Sequence, residues 1–237
     1  MYPWHVMKIK LLLLSTLVSC AVTSQAALVI FSGNDSGANS TDPRPNSNSA
    51  AAAFDLAAGA LGPVNLITFE SAPLGAFSSL VVATGVTLTG SDFNAANQTI
   101  RNTPVSTPDA VWGYNTTAGG SQFASFNGGT MTFMFATPVR SFGAYFGGVQ
   151  DFGVTSTITF NDGTSQTLNF VQIGSVGGVQ FLGFTDAGKS ISSITIDHTN
   201  DVVSMDDVRY GAVPEPASIA AIGLGVACLL RRRRKVA

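Results

Sequence analysis

The feature that most constrains this fold is a series of short runs rich in Val, Ile, Thr and Phe, separated by Gly, Asn, Asp and Pro. Such runs are typical of β-strands, and their frequent period-2 alternation indicates strands with one face in a core. We therefore predict an all-β protein of roughly ten strands in two packed antiparallel sheets, a jelly-roll-like β-sandwich. The clearest predicted strands are residues 86–89, 131–135, 141–146, 156–160, 167–171, 180–185 and 191–197, with Phe133, Phe135, Phe142, Phe146 and Phe160 in the core.

Two of the connections carry hairpin signals. At Asn161-Asp162-Gly163 the alternation on both sides predicts a tight turn that pairs residues 156–160 with 167–171. Residues 132–135 and 141–146 are predicted to pair in the same way across residues 136–139. Residues 66–70 and 202–210 are predicted as further strands, and the second of these is the last strand of the body.

One helix interrupts the strand pattern near the start of the body. Ser47, Asn48 or Ser49 supplies an N-cap for residues 50–61, and Gly62-Pro63 ends the run. We expect this short N-terminal helix to lie across an end of the sandwich in a structural role. The preceding residues 32–46, rich in Gly, Ser, Asn, Asp and Pro, are predicted to form an irregular loop.

The body between the two ends of the chain is acidic and poor in catalytic residue types. Residues 27–212 contain five Lys and Arg against thirteen Asp and Glu, a formal charge of −8, whereas the whole chain carries −2. This charge opposes binding to nucleic acid, which relies on clustered cations, and suits Ca²⁺ or simple solubility. The two cysteines, Cys20 and Cys228, lie outside the body, so disulfides and thiolate metal sites are excluded there. His198 is the only histidine of the body, and no serine, cysteine or zinc hydrolase motif is present, so we expect no catalytic activity.

Carboxylate chemistry stays open as an alternative. Two carboxylates held about 5 to 10 Å apart in a cleft hydrolyse glycosides, and the body has thirteen candidates. Most of them lie in turn contexts, where Asp side chains accept hydrogen bonds from nearby backbone amides, as expected for Asp162 and Asp201.

One group of carboxylates suggests a metal site. Glu70 ends the predicted strand 66–70, and Asp206 and Asp207 lie in the final strand. This arrangement resembles sugar-binding jelly-roll modules, in which a glutamate of an early strand and an aspartate of the last strand hold a structural Ca²⁺. The resemblance implies that Glu70 and one of the two aspartates bind Ca²⁺, with solvated strand-end carboxylates as the alternative. Because adjacent strand residues point to opposite faces, we expect only one aspartate to be a ligand.

Sugar binding also calls for an exposed aromatic surface. Trp112 and Tyr114 share a face if the polar segment 103–120 is extended, which is the geometry for stacking on a sugar ring. The alternative is that both rings fill the core or close one end of the sandwich.

The C-terminal residues form a three-part tail. Pro-Glu-Pro is followed by an uncharged stretch, residues 217–230, and then by a basic cluster. This order resembles the PEP-CTERM sorting signal of Gram-negative bacteria, which an intramembrane transpeptidase, an exosortase, recognises and removes. The resemblance covers residues 213–237, and the alternative is an ordinary single-span anchor or a basic amphipathic tail. The sorting motif is Val213, Pro214, Glu215 and Pro216, and the basic cluster is Arg231, Arg232, Arg233, Arg234 and Lys235.

The tail fits the dimensions of a marginal membrane anchor. Fourteen residues of helix span roughly 21 Å, less than the roughly 30 Å of a bilayer core, and flanking arginines offset the mismatch. The five terminal cations place the C-terminus in the cytoplasm by the positive-inside rule. The body is then periplasmic until processing releases it to the cell surface or beyond.

The N-terminal residues predict export. Lys8 and Lys10 precede the apolar run 11–22 and the small residues Ser24-Gln25-Ala26, the three regions of a signal peptide cleaved by signal peptidase after Ala26 or Ala27. Alternatively, residues 17–20 form a lipobox in which Cys20 is lipidated, and Met7 is an alternative start. The predicted organisation is a signal peptide at 1–26, a β-sandwich at 27–212 and a sorting signal with a single transmembrane helix at 213–237.

Three functions remain open at this stage. The first is a non-catalytic surface or matrix protein associated with exopolysaccharide or biofilm, an association inherited from the tail. The second is a carbohydrate-binding module, which requires an exposed surface at Trp112 and Tyr114. The third is a carboxylate glycosidase, which requires two aspartates facing each other in a cleft.

Overall fold

The protein is an all-β sandwich with one helix, as predicted. The structure, a computed structural model, describes residues 28–90, 98–150, 153–198 and 201–212, so both predicted signals, with the predicted transmembrane helix, lie outside the described residues. The described residues form one α-helix, α1 (Pro45–Leu61), and thirteen strands: β1 (Val29–Ser36), β2 (Val64–Ile67), β3 (Gly75–Ala76), β4 (Ser79–Ala83), β5 (Val86–Gly90), β6 (Thr99–Arg101), β7 (Phe123–Asn127), β8 (Thr130–Gly147), β9 (Thr155–Phe160), β10 (Ser165–Asn169), β11 (Gly178–Thr185), β12 (Ile191–Asp197) and β13 (Val202–Ala212).

The long strand β8 belongs to both sheets of the sandwich. Its first half pairs with β5 and β12 in a sheet of order β10-β9-β12-β8-β5-β4. Its second half pairs with β11 and β13 in a sheet of order β1-β11-β8-β13-β7-β6-β3, in which β2 also pairs with β13. All of these pairings are antiparallel.

The predicted hairpin between residues 132–135 and 141–146 is therefore wrong. The two halves of β8 lie in different sheets, and Phe133 of the first half contacts Phe142 of the second through the core, with ring centroids 5.2 Å apart. An alternating pattern on both sides of a short connection fits a hairpin within one sheet and a bend between two sheets equally well. The sequence therefore does not distinguish the two.

The core between the sheets is aromatic and aliphatic. All five phenylalanines predicted for it are buried, which confirms that assignment. Phe142 is at the centre, because its ring contacts Phe133 and Phe135 of the first half of β8 and also Phe184 of β11.

The hairpin of β9 and β10 is confirmed. Asp162 forms the turn, with its Oδ1 accepting hydrogen bonds from the backbone N–H of Thr164 at 2.9 Å and from the Thr164 hydroxyl at 2.6 Å. These hydrogen bonds, and a further one from Lys189, lower the pKa of the Asp162 carboxyl. This residue is a turn former, as the sequence indicated.

The prediction of an irregular loop at residues 32–46 is wrong in its first part. Strand β1 runs through Ser36 and pairs with β11 along its whole length. Gly33 is required there, because a Cβ at this position would collide with the carbonyl oxygen of Asn46 in α1. Pairing and close packing with the helix therefore override a composition that is poor for a strand.

The helix also begins earlier than predicted, at Pro45, and its N-terminus is capped from a distance. Asp35 of β1 accepts hydrogen bonds from the backbone N–H groups of Asn46 and Ser47 at 3.1 and 2.8 Å, and from the Ser47 hydroxyl at 2.6 Å. Burial opposes ionisation of Asp35, but these hydrogen bonds outweigh it and lower the pKa. The prediction of a local cap at Ser47, Asn48 or Ser49 is wrong, because Asp35 of β1 accepts the hydrogen bonds that a local cap would have accepted.

Helix α1 covers a face of the sandwich, not an end. It packs on β1, β11 and β8 of the second sheet. Phe54 is fully buried there and contacts Phe181 with ring centroids 5.5 Å apart. A second, smaller core therefore lies outside the sheet, formed by Ala51, Phe54 and Ala58 of the helix with Tyr114, Tyr145, Val179 and Phe181.

One end of the second sheet carries both the start of the first strand and the end of the last. The register row at this end joins five strands through Val29, Thr185, Ser141, Gly211 and Val64. We name this end, next to Ala212, the tail end. The far end holds Ser36, Gly147 and Val202, and the regular strand β1, from Val29 to Ser36, covers about 23 Å between the two ends at 3.3 Å per residue.

Candidate functional site

The carboxylates predicted to bind a metal converge on one polar segment, residues 115–122, which we name the 115–122 loop. Glu70 lies in a turn beyond β2 and not at the end of a strand, because Phe69 adopts a positive φ of 59°. Its Oε1 accepts hydrogen bonds from the backbone N–H groups of Ser121 at 2.9 Å and Gln122 at 2.8 Å. Glu70 thus fixes the end of the loop that leads into β7.

Asp206 fixes the other end of the loop. Its side chain is 1% exposed, and its Oδ2 accepts hydrogen bonds from the backbone N–H groups of Thr116 at 2.7 Å and Thr117 at 3.0 Å. Its Oδ1 accepts a third from the N–H of Asp207 at 2.7 Å. One buried carboxyl group therefore satisfies three backbone donors.

Asp207 faces the same loop, which contradicts the expectation that adjacent strand residues point to opposite faces. The register of β13 against β8 shifts between Asp206 and Arg209, and Asp207 has a φ of 48°. This β-bulge turns its side chain toward the loop, where the Thr117 hydroxyl donates to its Oδ1 at 2.8 Å. Asp is among the residues that tolerate such a left-handed conformation.

The environment of Asp206 is unfavourable to its charge. Burial is the largest cause, and the neighbouring Asp207 carboxylate adds to it, so that the pKa of Asp206 rises to about 7 in spite of the backbone hydrogen bonds from Thr116, Asp207 and Thr117. The carboxyl group therefore titrates near neutral pH.

For the predicted Ca²⁺ site at Glu70 with Asp206 or Asp207, the described residues supply no further acidic, histidine or cysteine ligands. Within the described residues, no group of three or more His, Cys, Asp or Glu side chains could hold a metal ion. The oxygens of Glu70 and Asp206 face N–H donors of the 115–122 loop. Calcium binding by Glu70 with Asp206 or Asp207 stays a prediction.

Trp112 and Tyr114 do not form a shared aromatic surface. A 3-10 turn at Asp109–Val111 and the positive φ of Gly113 turn the chain between them. Trp112 is 38% exposed, whereas Tyr114 is 2% exposed and donates its hydroxyl to the carbonyl oxygen of Ala38 at 2.8 Å. Burial raises the pKa of Tyr114, whose ring belongs to the second core. The assumption of an extended segment was wrong at this point.

A polar pocket opens beside the 115–122 loop. Its volume is about 380 Å³, and Arg44 is the one charged residue among those that line it. Tyr114 also lines the pocket, together with the smaller polar residues Ser40, Asn102, Asn115, Thr116, Thr117 and Ser121. Hydroxyl, carboxamide and guanidinium groups of this kind form hydrogen bonds with a polar, uncharged ligand.

The Arg44 guanidinium is held in place at this pocket. Its Cζ lies 5.9 Å from the ring centroid of Tyr114 and 5.8 Å from that of Tyr145, and its Nη2 donates to the carbonyl oxygen of Thr116 at 3.4 Å. The Cζ of Arg209 lies 5.3 Å from the same Tyr145 ring. The wall is therefore preorganised by stacking on aromatic rings.

Sequence reasoning missed the pocket residues Arg44, Asn102 and Thr116. The one local signal was Asn115-Thr116-Thr117 between Gly113 and Gly119-Gly120, a polar run of the kind found in functional loops. Arg44 comes from a part of the chain 72 residues away from Thr116, and only the fold brings the two together.

Together, the fold and the pocket define an antiparallel β-sandwich with a helix on one face and a polar pocket beside the loop before β7. In the sequence, residues 212–235 match the PEP-CTERM protein-sorting motif. The motif implies an exported protein with a C-terminal membrane anchor before processing, which confirms the resemblance seen in the tail.

Comparisons of the whole chain give weak similarities. No curated protein matches the sequence. TmCBM61, solved in complex with β-1,4-galactotriose, aligns with 12% identity and a TM-score of 0.38 over 62% of this chain and 94% of its own. A mutant of CBM29-2, a family 29 carbohydrate binding module, aligns with 9% identity and a TM-score of 0.35 over 63% and 92%. The enzymatically active domain of bacteriophage CBA120 tailspike protein 4 aligns with 16% identity and a TM-score of 0.33 over 55% and 20%.

These TM-scores are too low to support an argument about ligand or activity. In residues 28–90, 98–150, 153–198 and 201–212, no helix has both the length and the apolar character needed to cross a membrane.

Proposed function

We propose that this chain is an exported surface or extracellular-matrix protein without catalytic activity, delivered through its C-terminal sorting signal and processed by an exosortase-type transpeptidase. The observation that carries the proposal is the sorting motif at residues 212–235. The signal-peptide pattern at the other end supports export to the same side. The mature protein is proposed to be located in the exopolysaccharide or biofilm material of a Gram-negative bacterium.

The contacts of the carboxylates support a non-catalytic body. Asp35 caps a helix, Asp162 forms a turn, and Glu70 and Asp206 hold a loop. Each of them therefore has a structural role that accounts for its position.

The processing prediction is tested by intact mass and fractionation of the protein from its native host. We expect a mature species that begins near Ala27 and ends close to Pro-Glu-Pro. A Pro214→Ala/Pro216→Ala variant should stay unprocessed and in the inner membrane, because the rigid, helix-disfavouring segment is then lost. An unprocessed wild-type C-terminus would mean that the tail is only an anchor, and would overturn the proposal.

Carbohydrate binding is the second candidate function, favoured by the polar pocket. A neutral sugar matches a lining of hydroxyls and carboxamides with one preorganised guanidinium. The acidic body disfavours an anionic polymer, so we propose an uncharged saccharide as the ligand.

A glycan array tests this function with two matched variants. We expect Arg44→Met to lower the affinity for a bound glycan about tenfold, equal to about 1.4 kcal/mol, because the guanidinium donors are lost while most of the side-chain stem is kept. Trp112→Ala, outside the residues lining the pocket, should bind like the wild type. The opposite result, a loss of glycan affinity in Trp112→Ala alone, would place the binding site at the exposed tryptophan. If the wild type binds no glycan, the carbohydrate-binding function is rejected.

A further inference from the structure

The connection between the folded body and the membrane anchor is very short. Strand β13 is paired up to Ala212, which lies opposite Val139 of β8. The uncharged stretch of the tail begins at residue 217, so four residues separate the two. Four residues span at most about 14 Å in any conformation. In the anchored protein, the tail end is therefore held close to the bilayer surface.

An uncharged groove opens at this end. Its volume is about 560 Å³, and no charged residue is among those that line it. The lining includes Leu66, Thr84, Phe135, Thr137, Val139 and Tyr210. Leu66 is 54% exposed at its rim, and Val29 and Ile30 of β1, at the same end, are each 49% exposed. We name this feature the tail groove.

No charged residue lines the groove, but charged residues lie beside it. Arg209 is the register partner of Leu66 and pairs with Asp55 at 3.1 Å, and Arg140 follows the lining residue Val139 in the chain. The ion pair of Lys189 and Asp162, at 3.0 Å, belongs to the margin of the first sheet formed by β9 and β10. The tail groove is bordered by β4 and β5 at the opposite margin of that sheet. A lipid surface that reaches the groove lining itself therefore meets apolar and neutral polar groups, which suits the interfacial region of a bilayer.

We propose that the tail groove is a membrane-docking surface, on which the body rests against the lipid headgroup interface before the tail is removed. The inference rests on the proposed anchoring of the C-terminal tail. The polar pocket is then directed away from the bilayer, because Asp206 pairs with Tyr145 of β8, which lies four residues, about 13 Å, from Ser141 in the row of Gly211. In the precursor, the tail end thus contacts the bilayer and the polar pocket stays accessible to solvent.

The test uses the full-length anchored protein in vesicles of phosphatidylcholine and phosphatidylethanolamine, with a fluorophore on a single cysteine and quencher groups on the lipids. The body lacks cysteine, so the probe is placed by Thr84→Cys at the groove or Asn127→Cys at the far end, with Cys20 and Cys228 changed to serine. A third sample carries the probe on the natural Cys228 of the tail, with only Cys20 replaced.

We expect several-fold stronger quenching at position 84 than at position 127. Leu66→Glu should reduce the quenching at position 84, because a charge at the rim of the groove disfavours contact with lipid. Leu56→Glu, at an exposed site on α1, should leave it unchanged.

The outcomes separate the two proposals. Quenching at Cys228 without quenching at position 84 would overturn the docking surface alone. Absence of quenching at Cys228 would overturn the anchoring and the docking together. Equal quenching at positions 84 and 127 would show that the body has no fixed orientation on the bilayer. Quenching at position 84 that depends on the protein-to-lipid ratio would indicate that a second copy of the protein covers the groove. Either result would reject the proposal.

Discussion

At about pH 4, an Asp206→Ala variant is expected to lose roughly 3 kcal/mol of unfolding free energy, because three backbone N–H groups, two of them buried, lose their acceptor at about 1 kcal/mol each. For a body of this size, the midpoint of thermal unfolding should fall by about 10 °C. The 115–122 loop should detach from β13, and its amides should exchange hydrogen for deuterium much faster than in the wild type. Thermal unfolding and hydrogen exchange of the two proteins check this result.

The loss should depend on pH in a defined direction. The folded-state pKa of Asp206 is about 7, above its ordinary value of 3.8, so the folded protein binds more protons than the unfolded chain between these values. The contribution of this carboxyl to stability is therefore complete below pH 4, decreases as the pH rises toward 7, and is smallest above it. The difference between wild type and Asp206→Ala should accordingly be larger at pH 5 than at pH 8.

Asp207→Asn is the matched control. It removes the neighbouring charge, and asparagine keeps the left-handed backbone of this position and an acceptor for Thr117. The loop should stay protected, and the pH dependence should weaken, because one of the two causes of the raised Asp206 pKa is gone. Equal deuterium exchange in Asp206→Ala and wild type would contradict the role assigned to Asp206.

Phe142→Ala is expected to have the largest effect on stability, a loss of about 4 kcal/mol. The Phe142 ring contacts Phe133, Phe135 and Phe184, so its removal leaves a cavity between the two sheets. Chemical denaturation of the purified protein measures the loss.

Met134→Ala is its control on the same strand. Met134 is 55% exposed, so the change should stay within about 0.5 kcal/mol. If the two variants were equally stable, β8 would not join the sheets through Phe142 as described.

The sequence predicted the class of fold because strand patterns and turn chemistry are local. The β9–β10 hairpin at Asp162 and the buried phenylalanines follow from residues close to one another in the chain. Strand β1 could not be recognised in this way, because its Gly-, Asn- and Ser-containing residues become a strand through pairing with β11, more than 140 residues later. The bend of β8 was missed because alternation does not specify which sheet receives each half.

The candidate site shows the same limit. Glu70, Asp206 and Asp207 were recognised as a related set, and the fold brings all three to the 115–122 loop. Their hydrogen-bond partners are backbone amides and threonine hydroxyls, and no sequence pattern indicates which of these groups a carboxylate will meet. The bulge at Asp207 and the turn at Gly113 change which way side chains point, and both depend on packing against distant strands.

The position of β13 has a mechanical consequence. The tail continues from the end of a strand that is hydrogen-bonded on both sides, to β8 on one side and to β7 and β2 on the other. Tension applied through the tail along the strand axis loads these ladders in shear, so that many hydrogen bonds bear the force together instead of opening one after another. A protein held by its C-terminus in flowing liquid would therefore keep its fold under loads that would unzip a strand at the edge of a sheet.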